Sequence, residues 1–60
     1  LERLLDALDR LPDKQRETVN LVRQQFSHSE IAAIQGTKEP AVRQNLSRAI
    51  RMLRKVLREE

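Results

Sequence analysis

Between Val42 and Leu57 the apolar side chains are spaced for one long helix. At about 100° per residue, Val42, Leu46, Ala49, Ile50, Leu53, Val56 and Leu57 fall within roughly 120° of arc, a complete face for burial. A helix with such a face gains most of its stability by packing that face on something else. The rest of the chain must supply the partners, and there is little of it. The sequence has 60 residues and no cysteine. A chain of this size buries only about 60% of its unfolded surface, so its core is thin. It has no disulfide and no cysteine-based metal site to staple it. One glycine and two prolines leave little material for β-turns. Leu, Arg, Glu, Gln and Ala dominate, and all are good helix formers. These features predict a single all-α domain.

Three shorter helices can be placed ahead of the long one. Leu1, Leu4, Leu5 and Leu8 recur at the spacing of one helical face, giving a first helix over roughly residues 1–10. Leu11-Pro12 ends it, because proline pushes the residue before it out of the helical region. Pro12 suits the start of a second helix, where its missing N–H costs nothing. Asp13 favours the dipole there, and Val19, Val22 and Phe26 line one face. Leu21 lies off that stripe, so it meets another element or stays exposed. Ser27 and Glu30 have capping-box spacing and open a third helix. Ile31, Ala32 and Ile34 form its short buried face. Gly36 is the natural left-handed residue after its end. Thr37 then reads as the next N-cap, and Pro40 fits only the first turn of the fourth helix, which runs to about residue 58. Short helix, tight glycine turn, long helix is helix-turn-helix geometry, here over about residues 27–58. The whole chain, residues 1–60, reads as that one domain.

Charge is distributed unevenly. Residues 1–37 carry five basic and six acidic side chains, whereas residues 38–58 carry seven basic and one acidic. On the fourth helix, Arg43, Gln44, Ser47, Arg48, Arg51, Arg54, Lys55 and Arg58 fill the arc opposite the apolar face, and six of those eight are basic with none acidic. A charged face usually means only solvation. Solvated helices, however, mix signs at i, i+4 for mutual support, and like charges at that spacing repel. A polyanion partner accounts for the single sign.

Position along that stripe predicts the role of each side chain. The N-terminal part of a recognition helix reaches base edges. Arg43, Gln44 and Ser47 are therefore candidates to read bases: Arg pairs with guanine O6/N7 and Gln with adenine N6/N7. Asn45 lies on the flank, within reach of a base or a phosphate. Arg48 and Arg51 are placed to hold phosphates, which adds affinity and salt dependence but little specificity. Arg54, Lys55 and Arg58 lie farther along and add to the field. The amides around His28 and Ser29, at the start of the third helix, can also hold a phosphate.

Other chemistries find no support in the sequence. His28 is the sole histidine, reads as a surface loop residue, and has no cysteine or second histidine with which to share a metal. Asp6, Asp9 and Asp13 are spaced as a solvated face and caps. No glycine-rich phosphate loop and no nucleophile with a base is present, so neither an enzyme nor a cofactor is expected. The lack of surface aromatics argues against single-strand binding by stacking, and Phe26 and Met52 read as packing residues. No apolar run approaches the roughly 18 residues of a membrane span, and there is no signal-peptide pattern. The absence of cysteine and of a leader points to the cytoplasm. The start at Leu1 and the end on a charged helix suggest a piece of something longer.

With those motifs in place, the chain resembles region 4 of bacterial sigma factors of the extracytoplasmic-function (ECF) group. The matching pieces are Leu11-Pro12 followed by Arg16, Ser27 with Glu30-Ile31-Ala32, and Gly36-Thr37. The fullest is Val42-Arg43-Gln44-Asn45-Leu46-Ser47-Arg48-Ala49, leading into Leu53-Arg54, which is similar to versions common in Bacteroidetes-type members. The resemblance covers residues 8–58. It implies recognition of the −35 promoter element by a domain held on the β-subunit flap of RNA polymerase. It also implies that Thr37, Lys38, Arg43, Gln44, Ser47 and Arg48 face DNA, with His28 and Ser29 at the backbone. The apolar surface of the first two helices would serve the flap or an anti-sigma factor, with Leu21 a candidate there.

Three positions depart from the family pattern. The glycine usual just before the segment matching Phe26-Ser27 is missing, and the chain is one residue shorter there. Val22 stands where an arginine is frequent, with Arg23 beside it as a replacement phosphate contact. Ile50 stands where a basic residue is frequent, at the edge of the apolar arc, where a core role is expected. Two other classes remain open from the residues alone: another helix-turn-helix effector domain or repressor, and a helical module whose basic helix binds an acidic protein.

Overall fold

The structure is a computed structural model that describes residues 2–58. Four helices follow one another: α1 (Glu2–Asp9), α2 (Asp13–Arg23), α3 (His28–Gln35) and α4 (Glu39–Arg58). The all-α reading holds, and the described residues carry no strand. Leu1 of the predicted first helix lies outside the described residues.

The chain's punctuation forms where the sequence predicts it, with one shift. Pro12 is extended, and its carbonyl accepts the first bond of α2 from the Arg16 amide (2.9 Å). At α3 both limbs of the capping box form. The Glu30 amide donates to Ser27 Oγ (3.1 Å), and the Ser27 amide donates to Glu30 Oε1 (2.8 Å). Gly36 adopts the left-handed conformation (φ 66°, ψ 36°) and closes α3. The Thr37 amide donates to the Ala32 carbonyl (2.9 Å) and the Gly36 amide to Ala33 (3.3 Å). Thr37 is therefore not the cap of α4. Its amide belongs to the end of α3, and the Lys38 carbonyl accepts the first bonds of α4 from Ala41 and Val42. Pro40 falls in the first turn, as the sequence requires.

The long helix α4 is the mast on which the fold is built. Twenty residues at about 1.5 Å each span about 30 Å, which accounts for the 35 × 18 × 15 Å outline of the molecule. The other three helices all pack on α4, and α2 packs on α3. Two apolar clusters result. In one, Leu8, Leu11 and Ala49 are buried, with Val19 and Leu53 against them. In the other, Ile31, Ala32 and Val42 are buried, flanked by Leu21, Val22 and Phe26. Near the far end of α4, Val56 is buried and Arg3 donates to the Leu57 carbonyl (3.2 Å), satisfying one of the helix's terminal acceptors.

Five apolar expectations are corrected, the first being Met52, read from the sequence as a packing residue but 39% exposed on α4. Leu21 packs in the second cluster, so it is not a free docking residue. On α1 the buried pair is Ala7 and Leu8, while Leu4 and Leu5 stay exposed. Ile34 is 53% exposed, because the buried face of α3 is centred between Ile31 and Ala32. The residue that falls on that centre is Gln35, one turn after Ile31. Ile50 is 41% exposed and belongs to the outer surface of α4 rather than to the core.

Gln35 turns inward to a polar joint between α3 and α2. Thr18 is fully buried on α2, and its hydroxyl donates to the Lys14 carbonyl (2.8 Å). Gln35 Nε2 donates to Thr18 Oγ1 (3.0 Å) and to Glu17 Oε1 (3.0 Å), tying α3 to α2. Gln35 Oε1 is buried without a partner. The opposite amide orientation would set that oxygen against the Glu17 carboxylate, so the amide stands the right way round.

Candidate nucleic-acid interface

The turn at Gly36 hands the chain from a short, capped helix directly to the start of α4. That start is the part of the molecule where polar side chains of several types meet at the surface. Lys38, Glu39, Arg43, Gln44, Ser47 and Arg48 are exposed within the first half of α4 and the residue before it. Val42 and Ala49, fully buried beneath them, fix the rotation of the helix and so aim that face outward. Farther along, Arg51, Arg54, Lys55 and Arg58 are exposed on the same side. With Ser47 and the exposed Ile50 they line a shallow cleft along the outer face of the helix.

The stripe predicted from sequence therefore exists as one surface, and most of its predicted members stand on it. Arg43, Gln44, Ser47, Arg48 and Arg51 are exposed. Asn45 is half-buried on the inner flank, and Thr37 is half-buried in the turn. Ser29 is exposed and His28 half-buried in the first turn of α3, so His28 heads a helix rather than lying in a loop. Val22 is occupied in the second cluster, whereas Arg23 is exposed in the last turn of α2.

Distance along the helix separates these cations into two groups. From Arg43 to Arg58 is fifteen residues, about 22 Å at the α-helical rise. The end that lies beside the turn is the end that enters a groove in helix-turn-helix docking.

Glu39 is a member of this surface that the sequence reading passed over. Its Oε1 lies 4.0 Å from Arg43 Nη1, an i,i+4 ion pair with both side chains about half exposed. Such a pair contributes only about 0.3–0.5 kcal/mol, so it opens readily. The signal was available: Glu39 is the one acidic residue between positions 38 and 58, one turn ahead of Arg43.

Along the flank of α4 next to α2, Gln15 of α2 and its cap Pro12 face Arg48, Arg51, Met52 and Lys55 across a groove whose floor is mostly apolar. Three cations thus edge a patch of Met52 and Pro12. No described helix is long and apolar enough to cross a membrane.

No curated protein and no solved structure matches the chain. A family model does: that of sigma-70, region 4, over residues 1–53. The matched span takes in all of α2 and α3, both turns and α4 as far as Leu53, so it covers both apolar clusters and the N-terminal part of the basic surface. That family is a DNA-binding one and not a family of enzymes. The chain belongs to the sigma-70 region 4 family, the DNA-binding part of a transcription sigma factor.

Proposed function

We propose that this domain recognises the −35 element of a promoter as region 4 of an ECF-type sigma factor, of the kind common in Bacteroidetes-type members. It works as a monomer, with the N-terminal half of α4 in the major groove. The observation that carries the reading is the exposed, basic surface of α4 directly after the Gly36 turn, in which Glu39 is the one acidic side chain. Arg43, Gln44 and Ser47 read base edges, with Asn45 on the flank; Lys38, Arg48 and Arg51 hold phosphates. The amides of His28 and Ser29, heading α3, meet the backbone beside them, and Arg23 adds a contact from α2. RNA polymerase is the second partner. Leu4 and Leu5, exposed on α1, are the apolar surface available to the β-subunit flap. An anti-sigma factor, where one exists, has the groove between α2 and α4 as a ready seat, with cations at its edge that DNA also needs. The domain, residues 1–60, acts in the cytoplasm with its sigma factor.

Selection of bound duplexes from a randomised library at about 50 mM salt tests this. One short, non-palindromic motif is the expected result. Arg43→Ala relaxes one position of that motif by about 1–3 kcal/mol. Arg51→Ala weakens all sequences alike and lowers the salt slope by about one unit. A palindromic motif would point instead to a dimeric regulator. Equal effects of the two variants would sink the division of roles along α4.

A further inference from the structure

One carboxylate interrupts the basic helix. Between positions 38 and 58, Glu39 faces seven cations. It sits in the first turn of α4, exposed, and reaches toward Arg43. An acidic residue in a first turn gains from the helix dipole, which is reason enough on a helix that stays in water. On a surface that meets phosphates, the same charge weakens every complex by repulsion.

We infer that Glu39 is a specificity-determining residue. Its carboxylate accepts from the N4 amine of a cytosine, next to a guanine whose O6 and N7 accept from Arg43. The inference rests on the proposed function, in which the start of α4 enters the major groove. A carboxylate offers acceptors only. Guanine and thymine present acceptors in the major groove, so against them the carboxylate is desolvated without a partner. Adenine presents one donor beside one acceptor of its own, so attraction and repulsion offset. Cytosine's donor has one acceptor beside it, the O6 of its paired guanine, where adenine's has two, its own N7 and the O4 of its paired thymine; the bond to cytosine is charge-assisted and the less opposed. Glu39 thus selects mainly by exclusion, which is how discrimination is commonly built.

The spacing fits. Glu39 and Arg43 are four residues apart, about 6 Å along the helix axis, and base pairs stack about 3.4 Å apart. The two side chains therefore reach base pairs one or two steps apart. Their exposed ion pair is weak in the free protein and separates at little cost when bases take its place.

The test is duplex selection with the unmodified chain, Glu39→Gln and Glu39→Ala, with thermal unfolding of each to check folding. In the unmodified chain we expect a guanine with a cytosine preferred one or two base pairs away. Glu39→Gln moves that preference to adenine, the base glutamine pairs with. Glu39→Ala flattens it by about tenfold and tightens binding to unselected duplex. The salt slope stays unchanged, since no phosphate contact is lost. The inference is overturned if both variants keep the parental motif, or if Glu39→Ala weakens every sequence alike. A motif that needs Arg43 and ignores Glu39 removes this inference alone. No motif from the unmodified chain, or one indifferent to Arg43→Ala, removes the groove reading and this inference with it.

Discussion

Two turns bracket α3, and they make the same hydrogen bonds on different residues. After α3, Gly36 is left-handed, with Thr37 bonded back to Ala32 and Gly36 to Ala33. After α2, Gln25 is left-handed (φ 70°), with Phe26 bonded back to Leu21 (3.2 Å) and Gln25 to Val22 (2.9 Å). Both are the paired arrangement that closes helices, with the left-handed residue one place past the end of α3 and two places past the end of α2. A residue with a Cβ in that region costs about 1–2 kcal/mol relative to glycine, so the first turn is strained and the second is not. The segment just after Gln25 explains why the strain persists. Phe26 packs into the second cluster and Ser27 opens a complete capping box, so the chain there is fixed in place by its neighbours. Gln25 therefore makes the same kind of turn as Gly36, at a higher backbone energy.

The largest expected effect is at the unstrained turn. Gly36→Val should cost about 2 kcal/mol and Gly36→Ala about 1 kcal/mol. A Cβ added at Gly36 meets nothing within 4 Å, so the loss is backbone strain alone. The domain as a whole should hold only about 3–9 kcal/mol, so the valine variant should melt about 10 °C lower in a thermal scan. Gln25→Ala should change stability little, because the Cβ is already there. A loss at Gln25→Ala equal to that at Gly36→Ala would break the comparison, since the Gln25 side chain would then be contributing contacts of its own.

Next in size is the cap that succeeds the strained turn. Ser27→Ala removes the acceptor for the Glu30 amide and should cost about 1 kcal/mol by urea unfolding. If the box is what holds Gln25 in place, that cost should shrink in a chain that also carries Gln25→Gly. Independent sites add within about 0.3–0.5 kcal/mol, so a larger departure from additivity identifies the cap as the anchor.

The parts of the fold legible in the sequence are those written in local chemistry. Caps and breakers are of that kind, so Ser27, Glu30, Gly36 and Pro12 placed element boundaries to within a residue or two. Charge sign survives folding unchanged, so the stripe on α4 could be drawn before any coordinates. Burial was less legible where elements are short. Ile34 and Leu5 are apolar residues that an eight-residue helix cannot turn inward along with their neighbours. Gln35 lies at the centre of the buried arc of α3, which stepping 100° from Ile31 would have shown. Thr18 left no mark, because a helical threonine can satisfy its hydroxyl on the carbonyl four residues back and be buried cheaply. Glu39 was hidden by averaging: counted into a net charge it only subtracts, whereas counted by position it stands one turn from Arg43.

The smallest effect is also the most direct test of the strained turn. Gln25→Gly should stabilise the domain by about 0.5–1 kcal/mol, because glycine reaches positive φ without the steric cost borne by a Cβ. The gain is below the full strain because glycine also loosens the unfolded chain. It should appear as a rise of about 2–8 °C in the midpoint. DNA affinity should hold steady, since the Gln25 side chain is exposed and is not among the proposed DNA contacts. A stability gain with altered DNA binding would mean that the strained turn sets where the α3 amides meet the phosphate backbone. No gain at all would mean that the neighbours of Gln25, rather than its own backbone, determine the energy of the turn.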